Sequence, residues 1–176
     1  MSPNFENISY LCPEKYESPV GNLILSSDGT NLTGLWIEGQ KYFGVTLEKN
    51  IIKKDLTVFE DTKRWLDLYF AGKNPDFLPA LAPKGSEFRQ LIWKYLLEIP
   101  YGETTTYGSL AKKAAKDMGK ESMSAQAVGG AVGHNPISII IPCHRILGSN
   151  GSLTGYAGGI EAKKYLLALE GILRVG

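Results

Sequence analysis

Apolar positions along this chain change their period near residue 60 and again near residue 86. Leu23-Ile24-Leu25-Ser26 and Leu32-Thr33-Gly34-Leu35-Trp36-Ile37 are short apolar runs on either side of Asp28-Gly29, which predicts two strands joined by a turn. Residues 60–71 carry Trp65, Leu68 and Tyr69 at helical spacing and predict a helix. The segment from Gly72 to Gly85 holds Pro75, Pro79 and Pro83 and has no period, so a domain boundary is expected there, dividing the chain into residues 1–82 and 83–176.

Helical periods dominate beyond that boundary. Ser86 is placed to cap a helix whose Phe88, Leu91, Ile92, Tyr95 and Leu96 form one stripe, stopped by Pro100-Tyr101-Gly102. Thr106 caps a second helix with Leu110, Ala111, Ala114 and Ala115. Ser124 caps a third, from Ala125 to about Val132, closed by Gly133 and Asn135-Pro136. Ile139-Ile140-Ile141 reads as a buried strand, followed by a glycine-rich loop from Gly148 to Gly159. A last helix, Glu161 to Glu170, is expected to pack through Ala162, Tyr165, Leu166 and Leu169. The pattern predicts an α/β first half and a mostly helical second half containing a helix-turn-helix.

Composition narrows the class. At 176 residues, with 43% apolar and 21% charged residues, the chain is an ordinary soluble globule. No apolar run approaches the ~18 residues of a membrane span, and Met1 to Tyr10 lacks the order of a signal peptide. Cys12 and Cys143 belong to no C-x-x-C pair, so neither a disulfide framework nor a structural zinc site is expected. The expectation is a cytoplasmic monomer with no metal, cofactor or membrane partner. Residues 1–85 hold 9 Lys/Arg against 11 Asp/Glu, and residues 86–176 hold 10 against 7, so a polyanion would meet the second half.

Two features carry chemistry. Pro142-Cys143-His144-Arg145 sets one of two cysteines beside one of two histidines. A thiolate is the reactive form of cysteine, so a neighbouring base matters. The third helix reads Ala125-Gln126-Ala127-Val128-Gly129-Gly130-Ala131-Val132, and each internal glycine costs about 1 kcal/mol relative to alanine. Close approach of another surface would offset that cost, either a neighbouring helix or a nucleic-acid groove. A recognition helix without side chains able to read major-groove edges would suit the narrow minor groove.

Tyr107, the Ala-Val-Gly-Gly-Ala helix, Asn135-Pro136, Ile141-Pro142-Cys143-His144-Arg145, Tyr156-Ala157-Gly158-Gly159 and Leu166 to Glu170 occur in this order between Ser86 and Gly171. In that order they resemble the O6-alkylguanine-DNA alkyltransferase family. The resemblance implies a ribonuclease-H-like α/β domain followed by a winged-helix-like helix-turn-helix domain, acting on double-stranded DNA that carries O6-alkylguanine. It implies that Cys143 takes the alkyl group irreversibly after the damaged nucleotide is flipped out, with repair of O4-alkylthymine left open. His144 would accept the thiol proton through a water and Glu170 would orient the imidazole. Tyr107 would donate to N3 of the leaving guanine, and Asn135 would brace the turn that presents Cys143. Ile146, Tyr156, Ala157, Gly158 and Gly159 would line the base pocket, the two glycines letting backbone approach the base. Ser124, Gln126, Ala127, Gly129 and Gly130 would meet the DNA minor groove.

The chain departs from the family at three places. Gln126 stands where many members have an arginine that fills the gap left by the flipped base. Ala157 stands where some have serine, and the segment Lys112 to Ser122 makes a longer connection whose Lys112, Lys113, Lys116 and Lys120 are open to phosphate contact or to solvent. Arg145 is expected in a structural ion pair and His134 at the surface. Three other readings are a non-catalytic binder of alkylated DNA, a regulator switched by alkylation, and a cysteine hydrolase. The binder would lack Cys143, the regulator would need an added cysteine-rich domain, and the hydrolase would need a separated histidine, for which His134 is the candidate.

Overall fold

The computed structural model describes residues 7–173. Its first part is a five-stranded sheet with one helix. The strands are β1 (Ile8–Leu11), β2 (Tyr16–Ser18), β3 (Gly21–Ser27), β4 (Leu32–Ile37) and β5 (Asn50–Lys53). β3 lies centrally: β4 lines one edge antiparallel, while β2 and β1 share the other edge, opposite Gly21–Leu23 and Ser26–Ser27 respectively. β5 adds in parallel to β1. The turn expected at Asp28-Gly29 spans Asp28 to Asn31, and the Asp28 carboxylate accepts from the Thr30 and Asn31 N–H groups. That local acceptor replaces ladder bonds where the chain reverses.

Helix α1 (Thr57–Phe70) packs on β3 and β4. It begins three residues before the expected start, and its buried stripe runs through Phe59, Thr62, Trp65, Leu66 and Tyr69. Leu68, expected on that stripe, is only half-buried, because Leu66 occupies the inward position. The proline-rich segment after α1 is pinned to β4, Ala80 accepting from and Ala82 donating to Leu32.

The second part is built on α2 (Glu87–Leu97), α3 (Tyr107–Asp117), α4 (Ala125–Gly133) and α5 (Ile160–Leu169), with a two-residue strand pair β6 (Thr105–Thr106) and β7 (Ile146–Leu147). The three expected caps form: Ser86 Oγ accepts from Arg89 N, Thr106 Oγ1 from Ser109 N, and Ser124 Oγ from Ala127 N. Trp93 of α2 donates its indole N–H to Ala131 O of α4 at 2.9 Å, locking these helices together. Lys112 to Asp117 is helix rather than connection, so only residues 118–124 join α3 to α4. α5 is rotated from expectation: Lys163 and Leu167 face inward beside Ala162 and Leu166, while Tyr165 is 39% exposed.

The isoleucine run is not a strand. Asn135 to Ser138 docks on β4, with Leu35 donating to Pro136 O and Ser138 donating to Leu35 O. The chain then folds tightly. Ile139 has φ +71°, and Ile140 N donates to Ser138 O, closing a three-residue turn of the rare positive-φ kind. A β-branched residue in this region is strained. Cys143 N next donates to Ile141 O, and Cys143–Arg145 forms a 3₁₀ turn. Apolar runs of this length suit either strand or turn. Pro136 and Pro142 lack the N–H groups that strand pairing would use.

Asn135 holds this turn from inside. Its Nδ2 donates to Ile141 O at 2.8 Å and its Oδ1 accepts from Ile137 N at 2.9 Å. Asn135→Ala leaves the buried Ile137 N–H unpaired and Ile141 O with the Cys143 N–H as its remaining donor, so it is expected to lower stability by about 1–3 kcal/mol. Urea denaturation checks this; a loss below 1 kcal/mol, within ordinary surface scatter of about 0.5, would contradict the bracing role.

Candidate active site

Cys143 lies at the start of the 3₁₀ turn, buried to 5% exposure, with the fully buried His144 next to it. Glu170, just past the end of α5, meets the turn. Its Oε2 is 2.6 Å from His144 Nε2 and accepts from Tyr69 Oη at 2.6 Å. Its Oε1 accepts from Arg145 Nε at 2.8 Å and from Gly102 N at 3.0 Å. Four donors thus fill the acceptor positions of one carboxylate. Arg145 is an ion-pair partner as expected, and its Nη1 also donates to Ile99 O.

The protonation states follow from burial. Burial favours the neutral form of Glu170, but hydrogen bonds from His144, Arg145 and Gly102 outweigh it and hold the carboxyl at about 2. An ionised carboxylate only accepts, so His144 Nε2 carries a proton. Burial pushes the His144 ring down despite Glu170, leaving it neutral and Nδ1 unprotonated. Nδ1 has no hydrogen-bond partner among the described residues. Burial likewise pushes the Cys143 thiol up, against the opposing pull of the Asn135 side chain and the Lys163 charge. At rest the thiol is protonated, and the ring of the next residue, His144, keeps an unoccupied acceptor at Nδ1.

Lys163 is a second buried charge, fully enclosed, its Nζ donating to Ile146 O at 2.6 Å and Thr154 O at 3.0 Å. It ties α5 to β7, just before the glycine-rich loop, and to Thr154 within that loop. Sequence reading passed over it, although a lysine three and four residues before Leu166 and Leu167 stands on an apolar stripe, which is a signal. Tyr69 stands at helical spacing with Trp65 and Leu68 in the sequence, and nothing local separates it from a core aromatic.

A cavity of about 380 Å³ is lined by Tyr107, Gly129, Gly130, Gly133, His134, Gly155, Tyr156, Ala157, Lys41 and Tyr42. Five residues expected at the base pocket or DNA surface, Tyr107, Tyr156, Ala157, Gly129 and Gly130, therefore share one hollow. Ile146, Gly158 and Gly159 do not line it. Ile146 is fully buried with its carbonyl on Lys163. Gly158 is needed for internal packing, since a Cβ there would lie 2.6 Å from Ile37 Cδ1. Gly159 takes φ +95° to start α5. Tyr107 Oη donates to Thr154 O and Gly155 O at 3.2 and 3.3 Å, so its hydroxyl already faces the loop. Lys41 N donates to Ala157 O, and the Tyr42 ring stacks on His134 at 3.9 Å, which puts the first half of the chain at the cavity mouth.

The outer face of α4 is smooth. Gln126, Ala127 and Gly130 are exposed, and Ser124 caps the helix at the surface. A Cβ on Gly130 would meet nothing within 4 Å, and one on Gly129 only the Tyr107 ring at 3.9 Å. Helix packing therefore does not explain the glycine pair. Gln126 adjoins a second hollow with Tyr107, Gly108, Ala125, Gly129 and Ser149. Lys113 of α3 pairs with Glu98 and sits over the Tyr95 ring, while Lys112 and Lys116 of α3 and Lys120 beyond its end border a separate hollow beside Met123 and Ala125.

Because Glu170 is held near 2 against an ordinary 4.5, its contribution to stability is present above pH 4.5 and lost as pH falls toward 2. Glu170→Gln is expected to lose about 3–5 kcal/mol at neutral pH, because Arg145 is left buried without its charge partner. Its stability should also decline less steeply than the wild type's in that acid window. Urea unfolding across pH checks both, and parallel curves would contradict the assignment.

A family model described as "6-O-methylguanine DNA methyltransferase, DNA binding domain" matches residues 87–172, and one described as "6-O-methylguanine DNA methyltransferase, ribonuclease-like domain" matches residues 12–82. A methylated-DNA–protein-cysteine methyltransferase from Methanosarcina acetivorans is 43% identical over 89% of this chain and 96% of its own length. One from Haemophilus influenzae is 46% identical over 89% and 84%. The crystal structure of Mycobacterium tuberculosis OGT in complex with DNA superposes with a TM-score of 0.77 at 40% identity, covering 93% of this chain and 92% of that one. With both halves matched at this identity, the chain belongs to the 6-O-methylguanine DNA methyltransferase family.

Proposed function

We propose that this chain repairs O6-alkylguanine in double-stranded DNA by transferring the alkyl group to Cys143, once per molecule. The observation that carries the proposal is the buried Cys143, chain neighbour of a buried His144 whose Nε2 is 2.6 Å from Glu170 Oε2 and whose Nδ1 has no partner among the described residues. The thiol proton passes through a water to His144 Nδ1, and Glu170 stabilises the imidazolium that forms. The Cys143 sulfur then attacks the alkyl carbon; a C–S bond forms as the C–O6 bond breaks, and the electron pair moves onto the purine. Tyr107, whose phenol burial keeps protonated, donates toward N3 as that charge develops. The proton lost by the thiol ends on guanine N1, so the balance needs no cofactor. A thioether resists hydrolysis, so the protein is consumed.

The nucleotide must leave the helix to reach this cavity. The exposed, side-chain-poor face of α4 faces the minor groove, Gln126 enters the stack, and Gly129 and Gly130 allow close approach. The Gly158 and Gly159 backbone shapes the pocket loop from behind rather than lining it. The N-terminal unit, residues 1–82, is ribonuclease-H-like: four antiparallel strands, a parallel fifth and a packed helix support this. Residues 83–176 form a winged-helix-like unit around α3 and α4. The protein acts as a monomer and in the cytoplasm, where its two free thiols suit a reducing environment. O4-alkylthymine, with the same alkyl-oxygen geometry, is a second substrate.

Incubation with duplex DNA containing O6-methylguanine should add one methyl group to Cys143 and then stop, as read by intact mass and peptide mapping. Cys143→Ser should take up none while still binding the lesion. Binding without modification of the wild type would identify a lesion binder instead, and continuous ester turnover a hydrolase. Gln126→Arg adds a charge and a stacking guanidinium, so it should bind duplex DNA several-fold more tightly with a steeper salt dependence. Unchanged affinity in a salt titration would remove Gln126 from the interface.

A further inference from the structure

We propose that Tyr69, carried by the N-terminal domain on α1, is a positioning residue for the alkyl-transfer site: its hydroxyl fixes the Glu170 oxygen that orients His144. This rests on the alkyl-transfer reading above. Tyr69 stands 75 residues before His144 and 101 before Glu170, yet its hydroxyl reaches Glu170 Oε2 at 2.6 Å and lies 3.4 Å from His144 Nε2. Nε2 lies 2.6 Å from Glu170 Oε2 and 3.4 Å from the phenol, so the hydroxyl and the Nε2–H converge on one carboxylate oxygen. The other oxygen is already taken by Arg145 and Gly102. Arg145 and Gly102 therefore anchor one end of the carboxylate, and Tyr69 anchors the end that faces the imidazole.

The phenol is itself locked. Trp65 stacks on the Tyr69 ring at 5.1 Å and 10°, while Phe70 and Tyr101 close on it edge-to-face at 5.4 and 6.1 Å. A phenylalanine would fill this space equally well. A buried hydroxyl is unfavourable unless bonded, and the bond this one makes is to the Glu170 carboxylate. Among the other groups around the pair, Tyr101 Oη turns to the backbone oxygens of Gly72 and Leu169, and the Tyr156 ring stands 6.5 Å from His144 with its hydroxyl unpartnered among the described residues. Tyr69 is the group by which the first domain touches the proton-transfer chain.

The test compares wild type, Tyr69→Phe, Glu170→Gln and the double variant in single-turnover methyl transfer from an O6-methylguanine duplex, with lesion affinity measured in parallel. Tyr69→Phe should slow transfer about tenfold, on the scale of one charge-assisted hydrogen bond, with unchanged affinity and a native melting profile. In the Glu170→Gln background the same substitution should have no further effect. The chain has one other histidine, His134, so ¹⁵N-histidine labelling resolves both rings; Tyr69→Phe should move the His144 Nε2 resonance and leave His134 in place. A wild-type transfer rate in Tyr69→Phe overturns the proposal, as does an equal fall in the Glu170→Gln background. If the wild type accepts no methyl, the proposed function fails instead, and the His144 resonance decides the inference: displacement supports it and an unmoved signal overturns it.

Discussion

One buried carboxylate holds this molecule's parts in register. Glu170 gathers donors from α1, from the turn before β6 and from the 3₁₀ turn, and it does so with no exposed side-chain surface. Burying a charge is unfavourable unless every acceptor position is filled. Here four are, so the carboxylate stays ionised, and a displacement of any of the three elements leaves it short of a partner. The same demand for satisfaction that closes the fold also sets the histidine tautomer. Structure and chemistry are here two consequences of one hydrogen-bond count.

The nucleophile is held under opposite conditions. Its burial disfavours the thiolate, so reactivity must wait for a base rather than stand ready. A turn with a positive-φ isoleucine and two proline boundaries carries it, braced by Asn135 and pinned to β4. Strain of this kind persists where surrounding bonds over-determine the backbone. Lys163 does for the loop what Glu170 does for the turn: a buried ammonium finds two carbonyls and fixes their separation. The cavity wall is thus tied by charges that have no freedom to relocate.

The two domains are less separate than a linker rich in proline suggests. β4 receives the segment after α4, Lys41 bonds the loop at Ala157, Ile37 fills the space that Gly158 leaves, and Tyr69 joins the carboxylate. Each contact ends at the turn that carries Cys143, at the glycine-rich loop or at Glu170. The outer face of α4, by contrast, is left free of internal contacts, which is what a surface kept for another molecule requires.

Much of this was legible from residue order alone. The helix caps at Ser86, Thr106 and Ser124 are local devices, formed within one turn of chain, and a local pattern is sufficient to place them. The Asp28-Gly29 reversal is of the same kind, and so is the Cys143-His144 adjacency that singled out the chemistry. Where side chains act across long separations, sequence carried no comparable signal. The isoleucine run suits a strand and a tight turn equally by pattern, and only its docking on Leu35 and the Asn135 bonds select the turn. Tyr69 and Leu68 share an apolar stretch, and which one faces inward depends on the angle at which α1 meets the sheet. Gly158 and Gly130 are both glycines in a motif, but Ile37 crowds one and open space faces the other. Sequence by itself determined the elements and the reactive pair; tertiary structure alone decided which distant groups share a carboxylate, because burial and the filling of its acceptor positions are properties of the assembled chain.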